Sequence, residues 1–203
     1  MKDKVVNNVF EKIKKNNHRD FDDVKLEEIK YGLYGLYTLI TKTTVIILLA
    51  LILNMVDYFI IFLVFYCLIR SVGYGVHAKS NLQCWIFSTV LLLGIPYFFV
   101  KIEFSSLMKT ILWSICFINY LIFCPADTEK RPMISKVRKL KFKLIALVIS
   151  VLYLILIFKF DNLSSLILGG MLLEALLTNP LGYIMMGQKP RFRLNDLNIF
   201  KLN

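Results

Sequence analysis

Histidine and cysteine are scarce in this chain and never clustered. His18, His77, Cys67, Cys84, Cys116 and Cys124 stand apart, with no CxxC or HxxxH pair among them. A zinc site takes paired ligands at short spacing, so no metal is expected. Glycine is thin as well: Gly73 and Gly75 lie close together, but no third glycine follows at the spacing of a dinucleotide loop, and no phosphate-binding loop is present. No cofactor is therefore expected. Internal repeats and low-complexity tracts are missing, and the first 35 residues lack the apolar core of a cleavable signal peptide. Long polar stretches are confined to the first 40 residues, a segment near 125 to 143, and the tail.

What remains is apolar. Hydrophobic residues make up 57% of the chain, and they fall into runs of the length a bilayer requires, roughly 17 to 25 residues per helical span. The expected fold is all-α: a polytopic membrane protein with spans near 39 to 53, 56 to 70, 85 to 100, 105 to 124, 143 to 159 and 163 to 186. The first two runs are separable because Asn54 and Asp57 would otherwise sit near the centre of one long span. An unpaired charge there costs a few kcal/mol or more, on the order of 3. The expected organisation is an amphipathic interfacial segment over 1–38, a six-span domain over 39–188, and a cytoplasmic tail over 189–203.

Basic residues dominate, 25 Lys and Arg against 14 Asp and Glu. With six spans, every Lys and Arg except Lys101, Lys109 and Lys159 falls on one side of the membrane. By the positive-inside rule that side is cytoplasmic, and both termini lie there. Topology and anionic lipid explain the net charge of +11, with no need for nucleic acid. Near the start, Val5, Val6, Val9, Phe10 and Ile13 recur at helical spacing opposite Lys2, Lys12, Lys14 and Lys15. Such a helix suits a membrane surface, as an anchor or as a grip on a partner peptide.

The cysteines sort by position. Cys67 and Cys116 fall inside apolar runs, where a thiol acts as a small hydrophobe, and Cys124 closes a span beside Pro125. Cys84 differs, because the stretch "GYGVHAKSNLQC" (73 to 84) sets His77, Lys79 and, just upstream, Arg70 near it. A thiol with an imidazole can form a nucleophile, and nearby cations favour the thiolate. A solvated loop histidine beside an inert thiol is the plain alternative.

"RSVGYGVHAKSNLQC" (70 to 84) resembles the signature of the accessory gene regulator B (AgrB) family, polytopic membrane cysteine endopeptidases that process the quorum-sensing propeptide AgrD. Arg70, Gly75, His77, Ala78 and Cys84 carry the likeness, "CPADTEKRP" (124 to 132) looks like the family's Pro-Ala turn into a basic loop, and "LLEAL" (172 to 176) before Pro180 looks like its last span. The resemblance implies that Cys84, deprotonated by His77, attacks a propeptide bond, expels the C-terminal segment and holds the remainder as a thioester. A side chain of the substrate then closes a thiolactone, or a lactone if it is serine. The implied partners are an AgrD-like propeptide, membrane lipid and a second copy of the chain in a homodimer. The implied location is the cell membrane, with the active site on the cytoplasmic side.

Supporting roles stay open at this level. Gly73 and Gly75 would permit backbone angles or close approaches that a side chain blocks. Arg70 either holds a substrate carboxylate or caps its span. Glu174, an acid in the last span, either orients His77, pairs with Lys or Arg, or stays protonated and serves packing; Asp127, Asn179 and Gln188 are secondary candidates. A non-enzymatic transporter or scaffold is the rival reading, although a transporter would show internal symmetry and several buried acids. An intramembrane protease ending in ordinary hydrolysis is the other. Geometry adds one expectation: in continuous helix, His77 and Cys84 would stand about 10 Å apart along the axis, beyond the roughly 3 to 4 Å of a working pair. Residues 73 to 81 are therefore expected to break from regular helix, with Cys84 in the first turns of the third span.

Overall fold

The computed structural model describes residues 2–15, 22–76, 78, 80–126 and 135–188. Among them the chain forms eight helices and no strand: α1 (Lys2–Lys15), α2 (Asp23–Ile52), α3 (Val56–Gly73), α4 (Asn81–Phe99), α5 (Ser106–Phe123), α6 (Lys136–Lys159), α7 (Asp161–Thr178) and α8 (Pro180–Met185). They group into two compact units divided between Leu53 and Asn54. Five helices, α2 through α6, are long and apolar enough to cross a membrane.

The first unit pairs α1 with α2. Val6 on the apolar stripe of α1 is buried, the Tyr34 hydroxyl donates to Asp3 Oδ1 at 2.9 Å, and the Lys30 ammonium lies 5.6 Å from the Phe10 ring centre. Helix α2 is already helical at Asp23, well before the apolar run at 39. No proline interrupts this stretch, and Gly32 and Gly35 meet nothing within 4 Å. The break expected near Asn54 is present: α2 ends at Ile52, Asn54 adopts a left-handed φ of 52°, and α3 starts at Val56.

The second unit is organised around α7. Residues 166 to 171 of that helix are all buried, as are Leu173, Glu174, Ala175, Leu177 and Thr178. Helices α3, α4, α5 and α6 all contact it. The Gly169–Gly170 pair lets Phe62 and Tyr66 of α3 lie directly against its backbone, the small-residue contact that helices use where lipid supplies no hydrophobic drive. Polar side chains inside the unit bond to main-chain carbonyls. The Tyr120 hydroxyl donates to Met171 O at 2.6 Å, Tyr153 to Phe65 O at 2.7 Å, and Trp113 Nε1 to Ser150 O at 2.8 Å. The outward faces of α4, α5 and α6 expose Val90, Ile115 and Ile155 among many apolar side chains, as a surface against hydrocarbon requires.

The run expected as one span over 163 to 186 is two helices. Helix α7 ends at Thr178 and α8 begins at Pro180, with the Asn179 side chain accepting from the Leu181 N–H at 3.0 Å. Proline cannot continue a helix because its ring collides with the carbonyl four residues back, yet it is well placed at a first helical position. Residues 189–203 lie outside the described residues.

Candidate active site

One end of the second unit gathers the chain ends that the sequence singled out. Helix α3 stops at Gly73 because Tyr74 enters the left-handed region, with φ 63° and ψ −8°. That conformation is costly for a residue with a side chain. Tyr74 is held there by its N–H bond to Arg70 O at 3.3 Å and by edge-on packing against Phe142, with ring centres 5.1 Å apart. Residues 74, 75, 76, 78 and 80 are not helical, so the chain does leave regular helix between α3 and α4.

Two backbone bonds pin this connection. The Val76 N–H donates to Leu177 O near the end of α7 at 2.8 Å, and the Ala126 N–H, just beyond α5, donates to Gly73 O at 2.8 Å. Arg70 adds three more. Its Nη1 donates to Glu174 Oε2 at 3.2 Å, and its Nη2 donates to Gly75 O at 3.2 Å and Val76 O at 3.1 Å. The Glu174 side chain is 0% exposed and that of Arg70 18%. Of the alternatives left open for Glu174, the structure shows pairing with an arginine. Glu174 Oε1 has no hydrogen-bond partner among the described residues.

The two glycines sit where nothing larger fits. A Cβ on Gly73 would collide with Glu174 Oε1, and one on Gly75 would collide with the Arg70 guanidinium and lie 2.9 Å from Leu177 Cβ. Both positions therefore serve close approach, at φ values an L-residue can adopt.

Helix α4 opens with a capping box. Ser80 Oγ accepts from the Gln83 N–H at 3.1 Å, while the Ser80 N–H reaches Gln83 Oε1 at 3.4 Å. The Cys84 N–H makes the first turn's bond to Ser80 O at 3.0 Å, so Cys84 stands in the first turn. Its Sγ is 3.9 Å from Ser88 Oγ, and its half-buried side chain packs in an apolar cluster with Val76, Ala78, Ala126, Leu173, Tyr183 and Met186. A helix N-terminus carries partial positive charge, which favours an anion in its first turn. Cys116 and Cys124 are buried and Cys67 is exposed on α3; all four cysteines are unbridged.

His77 lies outside the described residues, as do Lys79 and Asp127, and the expected approach of the imidazole to Cys84 lies there with it. Its neighbours Val76 and Ala78 are described, and both belong to the buried cluster that Cys84 packs against. Gln188 bonds through its N–H to Tyr183 O at 2.8 Å, and Asn179 serves as the cap of α8. Sequence reading passed over the Ser80–Gln83 capping box, although its S-x-x-Q spacing was visible. It also passed over Leu177, whose contribution is a main-chain carbonyl, and Asn119, whose Oδ1 accepts from the Thr178 hydroxyl at 3.0 Å. No side-chain pattern announces a carbonyl.

Fold and site together define an all-α polytopic membrane protein that presents a half-buried thiol on the capped first turn of an internal helix. A model of the Accessory gene regulator B family matches residues 6–178, and the chain belongs to that family. It is 32% identical over 125 residues to an Accessory gene regulator protein B of Staphylococcus lugdunensis, covering 61% of this chain and 66% of that one. It is 28% identical over 130 residues to a Putative AgrB-like protein of Listeria innocua, covering 63% of each. A third relative, from Staphylococcus aureus, is 32% identical over 117 residues, 57% of this chain and 62% of that one. The chain thus spans between about half and two thirds of the length of the relatives it matches. No solved structure matches.

Proposed function

We propose that the protein is a membrane cysteine endopeptidase that removes the C-terminal segment of an AgrD-like propeptide and promotes cyclisation of the remainder, as a step in quorum sensing. The observation that carries this reading is the placement of Cys84: first turn of α4, capped by Ser80, in one apolar cluster with the residues on either side of His77.

In this mechanism His77 takes the Cys84 proton and the thiolate attacks a peptide carbonyl carbon. The C–N bond breaks, His77 returns the proton to the departing amine, and the N-terminal part stays on Cys84 as a thioester. A thiol or hydroxyl of the substrate then attacks the same carbonyl, the Cys84 C–S bond breaks, and the released thiolate recovers a proton. The product is a thiolactone or a lactone. Ring closure needs an internal nucleophile held close and water held off, and the apolar cluster of Val76, Leu173, Tyr183 and Met186 that Cys84 packs against favours the second. Catalysis on the cytoplasmic side of the cell membrane, both termini cytoplasmic, lipid contact and a homodimer complete the proposal.

The test is mass spectrometry on membranes that contain the enzyme and its coexpressed propeptide. Cys84→Ala and His77→Ala should each abolish release of the C-terminal segment while insertion is kept, whereas Cys67→Ala and Cys116→Ala should cleave normally. Cleavage by the Cys84→Ala protein would overturn the mechanism.

A further inference from the structure

We infer that Arg70 and Glu174 act as a positioning pair for the peptidase site, holding the backbone at Gly75 and Val76 in place against α7, within the apolar cluster that Cys84 packs against. The inference rests on the peptidase reading above.

Its basis is the set of acceptors that Arg70 joins. The guanidinium reaches a carboxylate on α7 with one nitrogen and two consecutive carbonyls of the α3–α4 connection with the other. Such a planar fork binds three acceptors in fixed directions, which a lysine ammonium on a flexible stem cannot reproduce. Three of its five N–H groups are bonded inside the chain, with both terminal nitrogens engaged. Helix α7 holds Val76 twice over, through Glu174 by way of Arg70 and through Leu177 O directly on the Val76 N–H. Glu174 and Leu177 are three residues apart, so one turn of α7 dictates both contacts.

The glycines make sense in the same frame. Side chains at 73 or 75 would strike the Glu174 carboxylate or the Arg70 guanidinium, so the connection is cleared along the path of the strap. A buried ion pair is a poor device for stability alone, since an apolar pair of similar volume does as well or better. Geometric definition is what this pair supplies, at Gly75 and Val76 in the connection that leads to α4.

The experiment uses the full chain in lipid nanodiscs with purified propeptide. Arg70→Met combined with Glu174→Leu removes both charges without stranding either, so the bundle should fold and melt cooperatively; Arg70→Lys keeps the charge without the fork. Both proteins should cleave with kcat lowered about 100-fold and KM within about threefold of the parent. Their pH profile for alkylation of Cys84 by iodoacetamide, read in a background lacking the other cysteines, should move to that of His77→Ala. Unchanged kcat in either folded variant would overturn the positioning role, and a raised KM at constant kcat would assign Arg70 to substrate binding instead. Failure of the peptidase reading shows separately: Cys84→Ala would cleave, and His77→Ala would leave the alkylation profile of the parent unchanged.

Discussion

Replacing Gly75 by alanine adds one methyl group to a site with no room for it. The new Cβ would fall on Arg70 Nη1, and it would also lie 2.9 Å from Leu177 Cβ and 3.0 Å from Leu177 O. Leu177 O belongs to the backbone of α7 and is already bonded to the Val76 N–H, so the guanidinium is the part that must give way. Overpacking alone costs about 1–3 kcal/mol. If the guanidinium leaves Glu174, which is 0% exposed, the stranded carboxylate raises the cost to about 3–5 kcal/mol. Displacement of the connection by roughly 1 Å would lower turnover about 100-fold. Gly35→Ala is the matched control: that glycine is inside α2 with nothing within 4 Å, so alanine there should be neutral or stabilising by up to about 1 kcal/mol. Thermal unfolding in nanodiscs, followed by circular dichroism and paired with single-turnover cleavage, reads both quantities. A Gly75→Ala protein with parental melting and parental cleavage would refute the close-approach reasoning.

Ser80→Ala removes the acceptor of the Gln83 N–H and should cost about 1 kcal/mol of helix stability. Because it frays the turn that carries Cys84, cleavage should fall, and Ser80→Asp should restore it; equal activity in the Ala and Asp proteins would argue against the cap. For topology, single cysteines placed at Asn54 and Asn162 in a Cys-free background should react with an impermeant maleimide from outside intact cells, while one at Ser135 should not. Labelling of the Ser135 position from outside would reverse the proposed orientation and take the cytoplasmic active site with it.

Helix positions were legible because they depend on length and apolar content, which a sequence displays directly. The breaks at Asn54 and between Gly73 and Asn81 were legible too, since a mid-span Asn and Asp and a glycine-bearing polar run each make continued helix expensive. The upstream start of α2 was not. Residues 23 to 38 are too polar to span a bilayer, yet nothing in them stops a helix, and hydropathy reports only the first property. The division of 163 to 186 into α7 and α8 was marked by Pro180, but the run is apolar on both sides of it and conceals the break. At the site, Gly73, Gly75, Arg70, Glu174 and Cys84 could be singled out as side chains of unusual type in unusual places. Which of them meet could not be read, because Arg70 and Glu174 are 104 positions apart and the bonds that fix the connection run largely to carbonyls.

Helix α7 shows why hydropathy ranks helices poorly by function in such a protein. It is the most buried of the long helices and is not among the five that stand out as apolar enough to cross a membrane. A helix at the periphery must present hydrocarbon to lipid around much of its surface, so α4 and α6 carry exposed Ile, Leu and Val along their lengths. A helix enclosed by α3, α4, α5 and α6 meets protein on every side, and its demand is for fit and for partners. It can therefore hold Gly169 and Gly170 where α3 packs closest, Thr178 against Asn119, and Glu174 against Arg70. Each of these residues lowers mean hydropathy, and each is tolerable because a specific group answers it. The central helix is thus free to carry polar groups that a lipid-facing surface cannot, and Glu174, the costliest residue on it, holds the arginine that bonds to the connection before Cys84.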